Sequence, residues 1–183
     1  KDTSLPYIEM TIDLLKKIGV LVTYHKNIIS VNQKEKINAI EITVEPDWSS
    51  ASYFYSIVSL ADIGYSLELT HFNSYSIQGD KRLSEIFELF GVKTTFLDES
   101  VLVEKIGEAE QIINLDLSAN PDLAQTIAVT CLALKMSCKL IGLHTLKIKE
   151  TDRIIALENE IKKFNVFPTV TNESIEFNAS KAI

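Results

Sequence analysis

Apolar positions fall three or four apart in several stretches and alternate in the stretches between them. Ile8, Ile12, Leu15 and Ile18 form one face of a helix. Ser4 is placed to cap that helix, Pro6 fits its first turn and Gly19 ends it. Val20 to Tyr24 and Ile28 to Val31 read as strands around a short turn, and Ile37 to Val44 as a further strand or pair. Glu45-Pro46-Asp47-Trp48 then starts a second helix. Ala51 to Ala61 is apolar nearly all round, the pattern of a helix enclosed on every side. After a strand at Leu67 to Thr70, a third helix carries Leu83, Ile86, Phe87 and Phe90 on one face and ends at Gly91. Val92 to Phe96, Val101 to Glu104 and Gln111 to Leu117 are strands. Asn120-Pro121-Asp122 opens a fourth enclosed helix running from Ala124 to Met136. Lys139 to Leu143 is a strand, Ile154, Leu157, Ile161 and Phe164 face one way on a fifth helix, and Val166 to Val170 and Ile175 to Phe177 are final strands.

This order repeats. Glu45-Pro46-Asp47 and Asn120-Pro121-Asp122 lie 75 residues apart, and each precedes an enclosed helix, a strand, an amphipathic helix and a strand pair. The helix ends at Gly19 and Gly91 recur at 72 residues, with Asn165 in the same role 74 later. The unit is β-α-β-α-β-β, a domain-building duplication rather than a short solenoid repeat. The chain starts inside one unit and stops near the end of another, which suggests a piece of a longer protein. The repeat also sets a plain reading beside any chemical one. Asp47 and Asp122 both follow a Pro at a helix start, where an Asp complements the helix dipole.

Composition narrows the classes. The 183 residues are 46% hydrophobic and 23% charged, an ordinary globular balance. The net charge of −7 argues against a general nucleic-acid surface, so any anion site has to be built locally by a few placed cations. No apolar run is long enough to span a bilayer. Cys131 and Cys138 fall in an apolar helical stretch and read as buried, reduced thiols. His25, His71 and His144 are scattered, no Cys/His spacing suits a metal, and the Gly-rich phosphate motifs are absent.

One stretch stands out. Lys149-Glu150-Thr151-Asp152-Arg153 packs charges between two apolar segments at the start of the fifth helix. Thr151 is a plausible N-cap, and Asp152 suits the positive helix end. Arg153 opposes the macrodipole there. Such a cation beside Lys149 points to an expected anion, which a helix N-terminus already favours. The alternative is a solvated charge cluster.

Lys149-Glu150-Thr151-Asp152-Arg153 resembles a signature of the 5-enolpyruvylshikimate-3-phosphate synthase (3-phosphoshikimate 1-carboxyvinyltransferase) family. So do Thr3-Ser4-Leu5-Pro6-Tyr7-Ile8, Glu45-Pro46-Asp47-Trp48-Ser49-Ser50-Ala51-Ser52-Tyr53-Phe54, Ser76-Ile77-Gln78-Gly79-Asp80 and Asn120-Pro121-Asp122, in the family's order. The resemblance implies an α/β fold of β-α-β-α-β-β units, an inside-out α/β barrel with helices buried inside and sheets outside. Residues 1–45 would end one domain, and 46–183 would form the first two units of the second, incomplete one. The active site would lie in the cleft between the domains.

The implied reaction moves the enolpyruvyl group of phosphoenolpyruvate to the 5-hydroxyl of shikimate 3-phosphate and releases phosphate, on the route to chorismate and aromatic amino acids. It needs a base, an acid and cations for a carboxylate and two phosphates. By resemblance, Asp122 is the base and Glu150 the acid. Ser4, Tyr7, Asp122, Thr145 and Lys149 bind shikimate 3-phosphate, and Arg153 binds the phosphoenolpyruvate carboxylate. Ser49, Ser50 and Ser52 look like a phosphate cradle but read as structural. The implied enzyme is a cytoplasmic monomer that uses no cofactor or metal and engages neither nucleic acid nor membrane. Thr145 stands where the family often has an Asn, and Ser118-Ala119 replaces a more polar pair. The family's remaining Lys and Arg groups have no counterpart in this chain, so the chain alone is expected to be inactive. The alternatives are a UDP-N-acetylglucosamine enolpyruvyl transferase, which uses a loop Cys, and a non-catalytic anion-binding module.

Overall fold

The structure, a computed structural model, describes residues 5–180. Ser4 lies outside them. Helix α1 (Leu5–Lys17) is followed by a two-stranded hairpin, β1 (Val22–His25) and β2 (Ile28–Val31). Ile12, Val20 and Val22 form a small cluster of their own, separate from the main core. The rest is built on two sheets. The first holds β3 (Ser66–Thr70), β4 (Val92–Phe96) and β5 (Ser100–Lys105), antiparallel in the order β3-β5-β4. The second holds β6 (Ile112–Asp116), β7 (Ser137–Ile141), β8 (Thr169–Val170) and β9 (Ser174–Asn178), in the order β6-β7-β9-β8. Within it β6 and β7 run parallel, and the other pairs are antiparallel.

Helices α2 (Trp48–Ser59) and α4 (Ala124–Ala133) pack against each other between the sheets. Their contact is lined with hydroxyls. Ser52 Oγ lies 2.9 Å from Thr126 Oγ1, and Ser56 Oγ 2.8 Å from Thr130 Oγ1. The members of each pair are 74 residues apart, so two copies of the repeat meet through equivalent positions. The hydroxyls satisfy one another, which lets small polar residues lie in a dry contact. Helix α5 (Arg153–Lys162) packs on α4 and on β8 and β9.

The three expected helix ends all adopt left-handed backbone: Gly19 at φ 78°, Gly91 at φ 70° and Asn165 at φ 58°. Gly91 is the most constrained, because a Cβ there would fall 2.0 Å from the Gly107 carbonyl oxygen. The third helix differs from its expectation. It is a short α-helix, α3 (Leu83–Ile86), between 3-10 turns at 79–82 and 87–90. Asp80, Leu83, Ile86 and Phe90 are buried at spacings of three or four, with Ser84 and Phe87 buried beside them, and a 3-10 turn stacks residues i and i+3.

Other expectations are corrected. Residues 32–47 contain no strand. One repeat earlier than β6, Ile37 to Val44 would occupy the edge of β3 not taken by β5. It runs instead without ladder partners, leaving Ile37, Ile40, Ile42 and Val44 exposed. Helix α4 is nearly enclosed, but α2 is not: Tyr53, Phe54, Ile57 and Leu60 face outward. Thr151 does not cap α5. Asp152 does, accepting from the Ile155 N–H at 3.2 Å. Cys131 and Cys138 are buried and unpaired by disulfide. No helix among the described residues is long and apolar enough to cross a membrane.

Asp47 is a conventional cap. Its carboxylate accepts from the Ser49 and Ser50 N–H groups at 3.0 and 3.1 Å and from the Ser50 hydroxyl at 2.6 Å. Burial opposes its charge, but these donors hold it below the usual carboxylate range. A lowered carboxyl stabilises the fold above its unfolded value of about 3.9 and loses that contribution as the pH falls through the folded one. Asp47→Ala is therefore expected to cost about 1 kcal/mol at neutral pH. Urea denaturation should show the difference shrinking below about pH 4.

Candidate active site

The site forms where α1, the 3-10 turn 79–82, the turn before α4 and the start of α5 converge. Gln78 ties the segment before the 3-10 turn 79–82 to the start of α2. Its Nε2 donates to the Pro46 carbonyl at 2.7 Å and its Oε1 accepts from the Trp48 N–H at 2.9 Å, which fixes the start of α2. Gly79 lets α1 approach, since a Cβ there would meet Pro6 Cβ at 2.6 Å and Asn120 Nδ2 at 3.1 Å. Asp80 follows, with 1% of its surface exposed. It accepts from the Ser49 hydroxyl at 2.5 Å and from Asn120 Nδ2 at 3.5 Å.

Asp122 occupies the same repeat position as Asp47 and does something different. It lies in the 3-10 turn Pro121–Leu123, where no side-chain cap forms. Its carboxylate instead faces three side chains from other elements. The Tyr7 hydroxyl donates to Oδ2 at 3.5 Å. Lys149 Nζ lies 3.2 Å from Oδ1, and an Arg153 guanidinium nitrogen donates to Oδ1 at 3.0 Å. The capping explanation that fits Asp47 does not account for Asp122.

Arg153 is the first residue of α5, where its charge opposes the helix dipole. Two carboxylates offset it. Besides Asp122, its Nε and a terminal nitrogen reach Glu150 Oε1 at 2.9 and 2.7 Å. Glu150 is held below the usual carboxylate range by its own backbone N–H and by Arg153. In this state it is an ionised carboxylate. The Tyr7 hydroxyl is pushed well above its ordinary value by burial and by the charges of Asp80 and Asp122, so it stays a neutral donor. Ion pairs as accessible as these contribute only about 0–1 kcal/mol each. Stability therefore does not explain why Lys149, Glu150, Arg153 and Asp122 are gathered at one place.

Asp122, Glu150 and Arg153 line an open cleft of about 900 Å³, together with Ser49, Tyr53 and Gln125, and Tyr7 and Lys149 reach it through their contacts to Asp122. Tyr7, Asp122, Lys149, Glu150 and Arg153 are thus brought together. Thr145 is not in their network. It sits in the 3-10 turn His144–Ile148, which packs on the turn holding Asp122, and its Oγ1 is buried without a hydrogen-bond partner. Ser49, Ser50 and Ser52 direct their hydroxyls to Asp80, Asp47 and the Ser49 carbonyl, in structural contacts. Two polar residues in the surroundings were not singled out from sequence. Asp80 ends Ser76-Ile77-Gln78-Gly79-Asp80, a segment that carries the family resemblance, but the resemblance assigns it no role. Gln125, three residues after Asp122 on one face, has a buried Nε2 with no partner. Among the described residues no cluster of His, Cys, Asp and Glu could hold a metal.

Comparison with known proteins gives the family. The sequence profile of the family "EPSP synthase (3-phosphoshikimate 1-carboxyvinyltransferase)" matches residues 2–182. A 3-phosphoshikimate 1-carboxyvinyltransferase from Bacteroides fragilis strain YCH46 is 38% identical over 172 residues, covering 94% of this chain and 42% of the relative. One from Buchnera aphidicola is 33% identical over 181 residues, covering 96% and 41%. The fold matches a solved EPSP synthase from Acinetobacter baumannii with a TM-score of 0.69 at 20% identity, covering 94% of this chain and 40% of that one. The chain thus spans about two fifths of the length of these relatives. With a family profile matched from residue 2 to residue 182, the chain belongs to the EPSP synthase (3-phosphoshikimate 1-carboxyvinyltransferase) family.

Proposed function

We propose that this chain carries part of the active site of an enzyme that transfers the enolpyruvyl group of phosphoenolpyruvate to the 5-hydroxyl of shikimate 3-phosphate. The observation that carries the reading is Asp122, a non-capping carboxylate set against Tyr7, Lys149 and Arg153 in an open cleft. Asp122 takes the proton of the attacking hydroxyl, and the alcohol oxygen adds to C2 of the enol. Glu150 protonates C3. Phosphate leaves the tetrahedral intermediate and takes up the proton held by Asp122, and Glu150 recovers the proton from the methyl group to restore the enol. Lys149 holds the phosphate of shikimate 3-phosphate, helped by Tyr7, Ser4 and the Thr145 hydroxyl. The Arg153 fork binds the phosphoenolpyruvate carboxylate.

The geometry adds a condition to this scheme. Arg153 is already engaged by Asp122 and Glu150. A substrate carboxylate on Arg153 draws that cation away from Glu150, and Glu150 then holds a proton more readily, as its acid role requires. In the same reading residues 1–45 close one domain and 46–183 open the other. The units assemble as an inside-out barrel, and the parent works as a cytoplasmic monomer without cofactor.

The test separates this from a simple anion-binding module. In the full-length protein, Arg153→Ala is expected to raise KM for phosphoenolpyruvate roughly 30-fold, the worth of a charge-assisted contact. KM for shikimate 3-phosphate should move far less, and Lys149→Ala should show the opposite preference. An equal loss for both anions in both variants would contradict the assignment.

A further inference from the structure

Asp80 has no part in the scheme above, yet it is the most enclosed acid near the cleft, with 1% of its surface exposed. The polar groups that meet it can all donate. The Ser49 hydroxyl from α2 lies at 2.5 Å and Asn120 Nδ2 at 3.5 Å. The amide of Asn120 is oriented by Arg82, which donates to its Oδ1 at 3.4 Å and to the Asp116 carbonyl at 3.1 Å. That turns Nδ2 toward Asp80. The Tyr7 hydroxyl interacts with Asp80 as well as with Asp122. Asn120 Nδ2 can only donate, and both hydroxyls can donate to a carboxylate as well. Burial pushes the Asp80 carboxyl up, against the Ser49 donor, and the nearby Asp122 charge adds to that rise. Asp80 and Asp122 are therefore two carboxylates joined through one phenol, and Lys149 and Arg153 pair with the Asp122 side. Lys149 and Arg153 face Asp122, Glu150 faces Arg153, and Arg82 stands behind Asn120.

We propose that Asp80 is a positioning residue for Asp122, holding the Tyr7 hydroxyl and Asn120 in place while its negative charge strengthens the hold of Asp122 on the proton taken from the acceptor hydroxyl. Lys149 and Arg153 both weaken that hold. Asp80 supplies the opposing like charge from a site that no solvent screens. Tyr7 links the two carboxylates with a single proton, so a protonated Asp122 frees the phenol to donate to Asp80.

This inference rests on the catalytic reading of Asp122, and the test keeps the two apart. The pH dependence of kcat/KM is measured by phosphate release in the full-length protein, for the unaltered chain and for Asp80→Asn, Ser49→Ala and Asp122→Asn. Removing the Asp80 charge should move the acid limb to lower pH and reduce the plateau roughly 3- to 10-fold, as expected of a weaker base. Ser49→Ala, which withdraws the shortest donor to Asp80, should move the limb in the same direction by less. It also serves if Asp80→Asn fails to fold. A limb unmoved in the variants that fold, whatever the loss of amplitude, makes Asp80 merely structural and overturns the inference, while the catalytic reading stands if Asp122→Asn is inactive. If Asp122→Asn retains full activity, or the unaltered protein releases no phosphate, the reading and the inference fall together.

Discussion

Asp122→Asn in the full-length protein is expected to lower kcat by roughly 10²- to 10⁴-fold with little change in fold. The amide keeps the shape of the side chain but cannot accept a proton from the acceptor hydroxyl. The loss should be in the chemical step, because Lys149 and Arg153 remain to hold the two substrates. Some loosening is expected, since both cations lose their shared partner at 3.2 and 3.0 Å. That loss is modest for pairs this accessible, at about 0–1 kcal/mol each. A steady-state measurement showing kcat within a factor of three of the unaltered protein would remove Asp122 from the mechanism. The matching change at Asp47 is a control within the same molecule. It sits at the equivalent repeat position, caps α2, and should affect stability rather than turnover.

The largest loss of stability is expected from Trp48→Ala, about 3–5 kcal/mol. Trp48 is 1% exposed, meets Phe72 edge-on with ring centroids 4.9 Å apart, and lies 6.1 Å from Phe96. No side chain nearby can fill the space it would leave without moving a strand or the start of α2. The damage should also reach the site. Trp48 is followed by Ser49, which donates to Asp80, and its own N–H is held by Gln78, whose neighbours Gly79 and Asp80 meet Pro6 and Asn120. Urea denaturation followed by circular dichroism would measure the loss, and Trp48→Phe should recover part of it. A loss below about 1 kcal/mol would mean that the aromatic cluster is not what anchors α2.

Much of this was legible in the sequence because the duplication repeats its own punctuation. Gly19, Gly91 and Asn165 could be read as helix ends from their spacing, and each takes a left-handed conformation. Strand positions from Ser66 onward followed from alternation bounded by turns. Ile37 to Val44 misled for the opposite reason. Its alternation is strand-like, but a strand needs a partner ladder, and the described residues provide none there. The outward face of α2 was also unreadable, since an apolar surface signals burial without saying by what. The third helix reads as regular in sequence because i, i+3 spacing looks alike in α and 3-10 geometry.

At the site, local pattern could not separate Asp47 from Asp122. Both follow Pro at a helix start, and only the positions of Tyr7, Lys149 and Arg153 in space distinguish them. The Arg153 anomaly was visible in sequence as a cation in a first turn, whereas its pairing with both Asp122 and Glu150 was not. The contacts of Asp80 to Ser49 and Asn120, 31 and 40 residues away, are invisible to local pattern.

The most direct test of the central claim is phosphate release from phosphoenolpyruvate, measured with the full-length protein and with this 183-residue chain side by side, with and without shikimate 3-phosphate. The account predicts release by the full-length protein only when shikimate 3-phosphate is present, and none by the chain alone. No release by the full-length protein, or release driven equally well by UDP-N-acetylglucosamine, would contradict it.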